Sequence, residues 1–181
     1  GIGISKVDTC SVAAVEAAIR PETRVVFVEV IANPRTQVPD LEAIGALCRE
    51  RGLLYVVDNT VTSPALFQPR AVGAGLVINS LTKTIAGHGA ALGGAVTDTG
   101  LFDWSRWHNI FASYRKGDPA GWGLQQIRKK GLRDMGAPLA PEAARQYWQD
   151  VFRTVDSDRL LWVAERDGQL VGTVQLMSCA R

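Results

Sequence analysis

The chemistry available to this chain is concentrated in Asn79-Ser80-Leu81-Thr82-Lys83-Thr84-Ile85-Ala86-Gly87-His88-Gly89, which follows Val56-Val57-Asp58-Asn59-Thr60 at short range. Lys83 offers a primary amine, Ser80 and Thr82 place two hydroxyls just before it, and Asp58 directly follows an apolar run. An amine that forms a Schiff base with an aldehyde, hydroxyls that bind a phosphate and a carboxylate that keeps a pyridine nitrogen protonated are the equipment for holding pyridoxal phosphate. The carboxylate–pyridinium pairing is strongest when sheltered from water. Lys83, once displaced by an amino-acid substrate, is placed to move protons between Cα and its neighbours, because it started on the reacting carbon. Each residue alone is ordinary: an aspartate after a strand is usually a cap or turn residue, and a loop lysine is usually solvated. The combination in this strand context is what carries information.

Those residues must be positioned by alternating helices and strands, the pattern of an α/β layer structure with a largely parallel sheet. Val12, Val15 and Ile19 read as a helix that Pro21 ends. Residues 24–31 form a β-branched run suited to a buried strand, broken by Asn33-Pro34. Asp40 can cap a helix whose Leu41, Ile44, Leu47 and Cys48 share a face and which Gly52 stops. Residues 53–57 are the next strand, so Asp58 lies at a carboxyl end, where open α/β sheets bind ligands. Residues 76–79 and 92–97 read as two further strands around the Gly-rich stretch 87–94.

After Pro141 the texture changes. Ala144, Tyr147, Trp148, Val151, Phe152 and Val155 mark an amphipathic helix, and strands at 159–165 and 169–177 flank Asp167-Gly168, a hairpin signal. We therefore expect one domain over residues 1–144 and a helix-plus-hairpin tail over residues 145–181.

Composition excludes several classes. With 46% hydrophobic and 21% charged residues the 181-residue chain reads as globular, and a net charge of +2 gives no case for nucleic acid. The basic cluster Arg128, Lys129, Lys130 and Arg133 falls in a helical pattern and reads as a solvated face. Cys10, Cys48 and Cys179 lie far apart with no clustered histidines, which argues against zinc and for a reducing cytoplasm. No apolar run approaches a bilayer span, so no membrane partner is expected.

Read with their flanks, these motifs resemble the Cys/Met-metabolism family of pyridoxal-phosphate enzymes, which includes cystathionine γ-synthase, cystathionine γ-lyase and the O-acylhomoserine sulfhydrylases. The matching stretches are Val28-Glu29-Val30-Ile31-Ala32-Asn33-Pro34, Tyr55-Val56-Val57-Asp58-Asn59-Thr60, Ser63-Pro64 and Ser80-Leu81-Thr82-Lys83, with residues 126–136 most like the sulfhydrylase and γ-synthase branches. The resemblance implies a partial aspartate-aminotransferase-like fold over residues 1–144. It implies Lys83 as the Schiff-base lysine, Asp58 as partner of the pyridine nitrogen, Ser80 and Thr82 as phosphate ligands, and Asn33 and Thr60 as contacts of the ring and its phenolic oxygen. The implied substrate is a sulfur-containing or O-acylated amino acid. Glu29 matches the motif without an evident role, and His88 reads as a residue ordering the Gly-rich turn.

Thr84 stands where many relatives have tyrosine, and Gly75 where many have aspartate. The chain is also much shorter than family members. It lacks the stretches that in them bear an upstream phosphate loop, a stacking tyrosine and a substrate-carboxylate arginine, so little activity is expected of it alone. Sheet edges left without neighbours favour association, and a homo-oligomer is expected. The tail resembles the opening helix and hairpin of a GCN5-related N-acetyltransferase, without that family's pyrophosphate loop. A noncatalytic α/β scaffold acting in association and an N-acetyltransferase fragment are the rival readings.

Overall fold

The alternation of helical and β-branched segments gives α1 (Val12–Ala18), β1 (Val25–Glu29), α2 (Leu41–Arg51), β2 (Leu54–Asp58), α3 (Ser63–Leu66), β3 (Leu76–Ser80) and β4 (Gly94–Asp98). The computed structural model describes residues 2–88, 92–131, 163–166 and 169–173. They belong to two compact units that divide between Phe102 and Asp103. In the first unit the sheet runs β1-β2-β3-β4, with β1, β2 and β3 parallel and β4 antiparallel to β3.

Helices α1 and α2 form where the sequence supplies caps. Ser11 accepts the Ala14 N–H to open α1, and Asp40 accepts the Ala43 N–H at 2.9 Å to open α2. Gly52 closes α2 in the left-handed region (φ 66°), donating to the Cys48 and Arg49 carbonyls. The expected apolar stripe of α2, Leu41, Ile44, Leu47 and Cys48, is buried against Val28, Tyr55, Val57 and Val77 of the sheet, with Val15 of α1 completing the core. Cys48 behaves there as a small apolar residue: burial pushes its thiol up to about 12, so it stays protonated.

Side chains alternate along a strand, so the opposite face receives every residue out of phase with that core. The register pairs Glu29 with Asp58 and Asp58 with Ile78, which places Glu29, Asp58, Ile78 and Ser80 together on it. The carboxyl ends of β1, β2 and β3 therefore carry the polar residues, while the core lies on the helical side.

In the second unit, turns at Trp104–Arg106, Ala112–Tyr114 and Pro119–Gly121 precede α4 (Trp122–Gln126). These turns are too short to show a sequence period; Asp103 and Asp118 cap two of them. Trp104 is buried against Gly123, where a Cβ would meet its ring atoms at 2.2–2.4 Å. Arg128, Lys129 and Lys130 fall in a π-type turn (Ile127–Gly131), are exposed as expected, and Lys130 Nζ lies 3.7 Å over the Phe111 ring. β5 (Val163–Arg166) and β6 (Gln169–Thr173) pair antiparallel with a bulge at Ala164/Glu165. The boundary expected at 144/145, the helix expected from Ala144 and the Asp167-Gly168 turn lie outside the described residues.

Candidate active site

Asp58 ends β2 as the last residue of a run that is otherwise wholly buried, Leu54 to Val57. Its Oδ1 accepts the Thr60 N–H at 2.9 Å, the behaviour of an aspartate in a turn, and its second oxygen has no protein donor among the described residues. Thr60 then bridges to the neighbouring strand: its Oγ1 accepts the Ser80 N–H at 2.8 Å, and its carbonyl accepts the Thr84 hydroxyl at 2.8 Å. One threonine thus ties the carboxylate, the end of β3 and the lysine segment together.

Beneath Thr60 lies a polar scaffold that composition alone does not flag. Asn59 is fully buried; its Nδ2 donates to the Phe67 carbonyl at 2.9 Å and its Oδ1 accepts the Thr62 hydroxyl at 2.5 Å. Asn79, also buried, donates from Nδ2 to the Asn59 carbonyl at 2.9 Å, locking the ends of β2 and β3 to each other. Buried amides of this kind are costly to truncate because their partners are left unsatisfied. Asn59→Ala is expected to lower stability by about 3 kcal/mol, read as a reduced urea midpoint with an unchanged slope; a loss below about 1 kcal/mol would mean that water replaces the amide.

Lys83 lies in a π-type turn, Leu81–Ile85, closed by Ala86 N–H to the Leu81 carbonyl at 2.8 Å and Gly87 N–H to the Lys83 carbonyl at 2.9 Å. Such turns are frequent at functional sites. The backbone leaves the helical path at Lys83 itself (φ −88°, ψ −117°). The residue is exposed, and its ammonium makes no hydrogen bond or ion pair among the described residues. Thr82, one residue earlier, is engaged: its Oγ1 accepts the Gly93 N–H at 3.0 Å and donates to the Gly93 carbonyl at 3.2 Å. The Ser80 hydroxyl, by contrast, has no partner among the described residues.

Asn33 reaches this end of the sheet through Glu29. The Glu29 carboxylate, paired in register with Asp58, accepts the Asn33 N–H at 2.8 Å, and the Asn33–Pro34 bond is cis. The hydrogen bond from Asn33 gives Glu29 the role that its motif position left open: it holds the loop after β1. His88 is exposed and makes no hydrogen bond to the described residues, so nothing described assigns it the turn-ordering role. Asn59, Asn79 and Thr84 were within the quoted motifs, but only the long-range bonds reveal what they do.

A sequence model described as "Cys/Met metabolism PLP-dependent enzyme" matches residues 1–151. The chain belongs to this family. Among its members, a sulfhydrylase of Gibberella moniliformis is 37% identical over 143 residues, 72% of this chain and 33% of that protein. An O-acetylhomoserine sulfhydrylase structure from Wolinella succinogenes superposes with a TM-score of 0.64 at 33% identity, covering 81% of this chain and 42% of that one. An O-acetylhomoserine (thiol)-lyase of Campylobacter jejuni, solved with a pyridoxyl-lysine monophosphate, gives a TM-score of 0.62 at 28% identity, covering 79% of this chain and 38% of that one. The mixed sheet with flanking helices is the fold of these pyridoxal-phosphate enzymes. The chain spans about a third of the length of the curated relatives it matches.

The residues present fit the family's cofactor by their chemistry. Among the described residues, an amine without a counter-ion, a hydroxyl without a partner and a carboxylate with one unoccupied oxygen are the complements of an aldehyde, a phosphate and a basic ring nitrogen. Among the described residues there is no cluster of histidine, cysteine and acidic side chains suited to a metal, and no helix long and apolar enough to cross a membrane.

Proposed function

We propose that this chain carries the lysine-bearing half of a pyridoxal-phosphate site for γ-replacement or γ-elimination on O-acylated or sulfur-containing amino acids. The observation that carries this reading is the convergence of Asp58, Ser80 and the Lys83 turn at the ends of two parallel strands, joined through Thr60. When bound, the cofactor supplies an electron sink in conjugation with the substrate Cα. Lys83 holds the aldehyde carbon and, once displaced, is the base that moves protons at Cα and the adjacent carbon.

The other assignments follow from which lone pairs and protons are left over. Asp58 turns its unoccupied oxygen to the ring nitrogen while Thr60 fixes the other. The Thr60 hydroxyl accepts from Ser80 and keeps its own proton for the phenolic oxygen. Ser80 gives its hydroxyl to the phosphate. Thr82 does the same after releasing the Gly93 carbonyl, which three donors already share. Asn33, held by Glu29, contacts the ring.

Loaded with pyridoxal phosphate, the chain should release acetate from O-acetylhomoserine roughly 10²-fold faster than the free cofactor, the low end of what one positioned proton carrier supplies. A rate equal to that of the free cofactor would overturn the γ-chemistry.

The face that carries Asp58 also exposes Val25, Phe27 and Val96 (43%, 52% and 44%), which favours association, as a homo-oligomer or as a scaffold for a partner chain. For residues 145–181 the antiparallel β5–β6 pair is compatible with a hairpin.

A further inference from the structure

We propose that Thr84 is a positioning residue for Lys83, acting through its hydroxyl bond to the Thr60 carbonyl. This rests on the reading of Lys83 given above.

Lys83 stands between two threonines whose hydroxyls point the chain to different strands. On one side Thr82 exchanges two hydrogen bonds with Gly93, just before β4. On the other, Thr84 donates to Thr60, just after β2, across 24 residues of sequence. Lys83 itself contributes no side-chain bond among the described residues, and its backbone interrupts the regular path of the turn. Its place is therefore set by its neighbours. Of the two anchors, Thr84 is the one that reaches the residue holding Asp58 and Ser80. Its bond makes the carriers of the carboxylate, the hydroxyl and the amine one connected piece. Thr82 cannot test this, because it is itself a candidate phosphate ligand.

Thr84 is exposed, so the alternative is that its hydroxyl is an incidental surface bond which water replaces without consequence. The two accounts differ in what the isosteric change does. Thr84→Val keeps the shape and β-branching but removes the donor; water can still satisfy the Thr60 carbonyl, so the urea midpoint should not move. The turn, however, loses its link to β2. A net hydrogen bond of ordinary strength corresponds to about a fivefold change in local opening.

The test combines two measurements on the whole chain. Amide exchange of residues 81–87, followed by NMR without cofactor, should accelerate about fivefold in Thr84→Val. The rate at which added pyridoxal phosphate becomes fixed by borohydride should fall by a similar factor. Thr84→Ser should restore both, since it returns the donor. Unchanged exchange and fixation in Thr84→Val, or a Thr84→Ser variant that behaves like the valine, overturns the proposal. Accelerated exchange restored by serine, in a chain that fixes no cofactor even as wild type, sustains the tether and overturns the cofactor reading instead.

Discussion

Lys83→Ala should abolish the near-visible absorbance that develops when pyridoxal phosphate is added to this chain, while leaving the fold intact. Replacement removes the only amine in the group formed by Asp58, Thr60, Ser80 and the Leu81–Ile85 turn. Affinity that remains from hydroxyls on the phosphate is weak by comparison with a covalent link, so the loss should be complete rather than graded. Stability is a separate matter. The Lys83 side chain is exposed and makes no hydrogen bond or ion pair among the described residues, so truncation should shift unfolding by no more than about 0.5 kcal/mol. A variant that keeps the absorbance places the chemistry on another amine. A variant that unfolds would show that the lysine has a structural role the geometry does not explain.

Gly45→Ala should have the opposite signature: a large loss of stability from a position remote from the chemistry. In an exposed helix this change is favourable by up to about 1 kcal/mol, because glycine gives up the most backbone entropy on folding. Here contact reverses the sign. A Cβ at Gly45 would stand 1.8 Å from the Val72 carbonyl oxygen and 3.3 Å from Tyr55 Cε1. The oxygen belongs to the backbone of the Pro69–Val72 turn and cannot rotate away as a side chain could. Relief requires α2 or that turn to shift, which opens the packing of Ile44 and Cys48 on Tyr55 and Val57, all among the most buried residues of the first unit. The cost should be about 3 kcal/mol or more, a large share of the roughly 5–15 kcal/mol that holds a domain. The Pro69–Val72 turn also leads into β3, so loosening it should weaken cofactor binding by displacing Ser80. Urea unfolding checks the first claim, and a midpoint equal to or above that of the wild type would contradict it.

These two positions show what the sequence made legible. α2 could be placed because its signals are local: Asp40, an apolar stripe at helical spacing, and Gly52. Asp58, Ser80, Thr82 and Lys83 could be put forward as site residues because their types and strand context suit one kind of chemistry. Gly45 was visible only as a glycine inside a helix, since the reason for it is a carbonyl 27 positions away in the chain. The same holds for Thr60, Thr84 and Glu29. A hydroxyl that bonds a carbonyl across 24 residues leaves no spacing to read, and the Glu29–Asn33 bond depends on how the loop after β1 turns back. The direction of β4 was likewise hidden. An apolar run states that a strand exists, whereas the chain path through Leu81–Ile85 decides that it returns antiparallel.

Thermodynamics of the buried groups reinforces the division between frame and site. Burial raises the Tyr55 hydroxyl well above its usual range, with Cys48 and Asp40 adding to the effect, and its proton is donated to the Leu41 carbonyl at 3.2 Å. That bond fastens the start of α2 to β2. It acts beside the apolar packing of α1 and α2 on that side of the sheet.

The most direct test of the account is the location of the cofactor after reduction. The chain, saturated with pyridoxal phosphate and treated with borohydride, should carry a single pyridoxyl group, and peptide mass mapping should find it on Lys83. Label spread over Lys6, Lys116, Lys129 and Lys130, or a chain that takes up none, would contradict the claim that the ends of β2 and β3 form a pyridoxal-phosphate site.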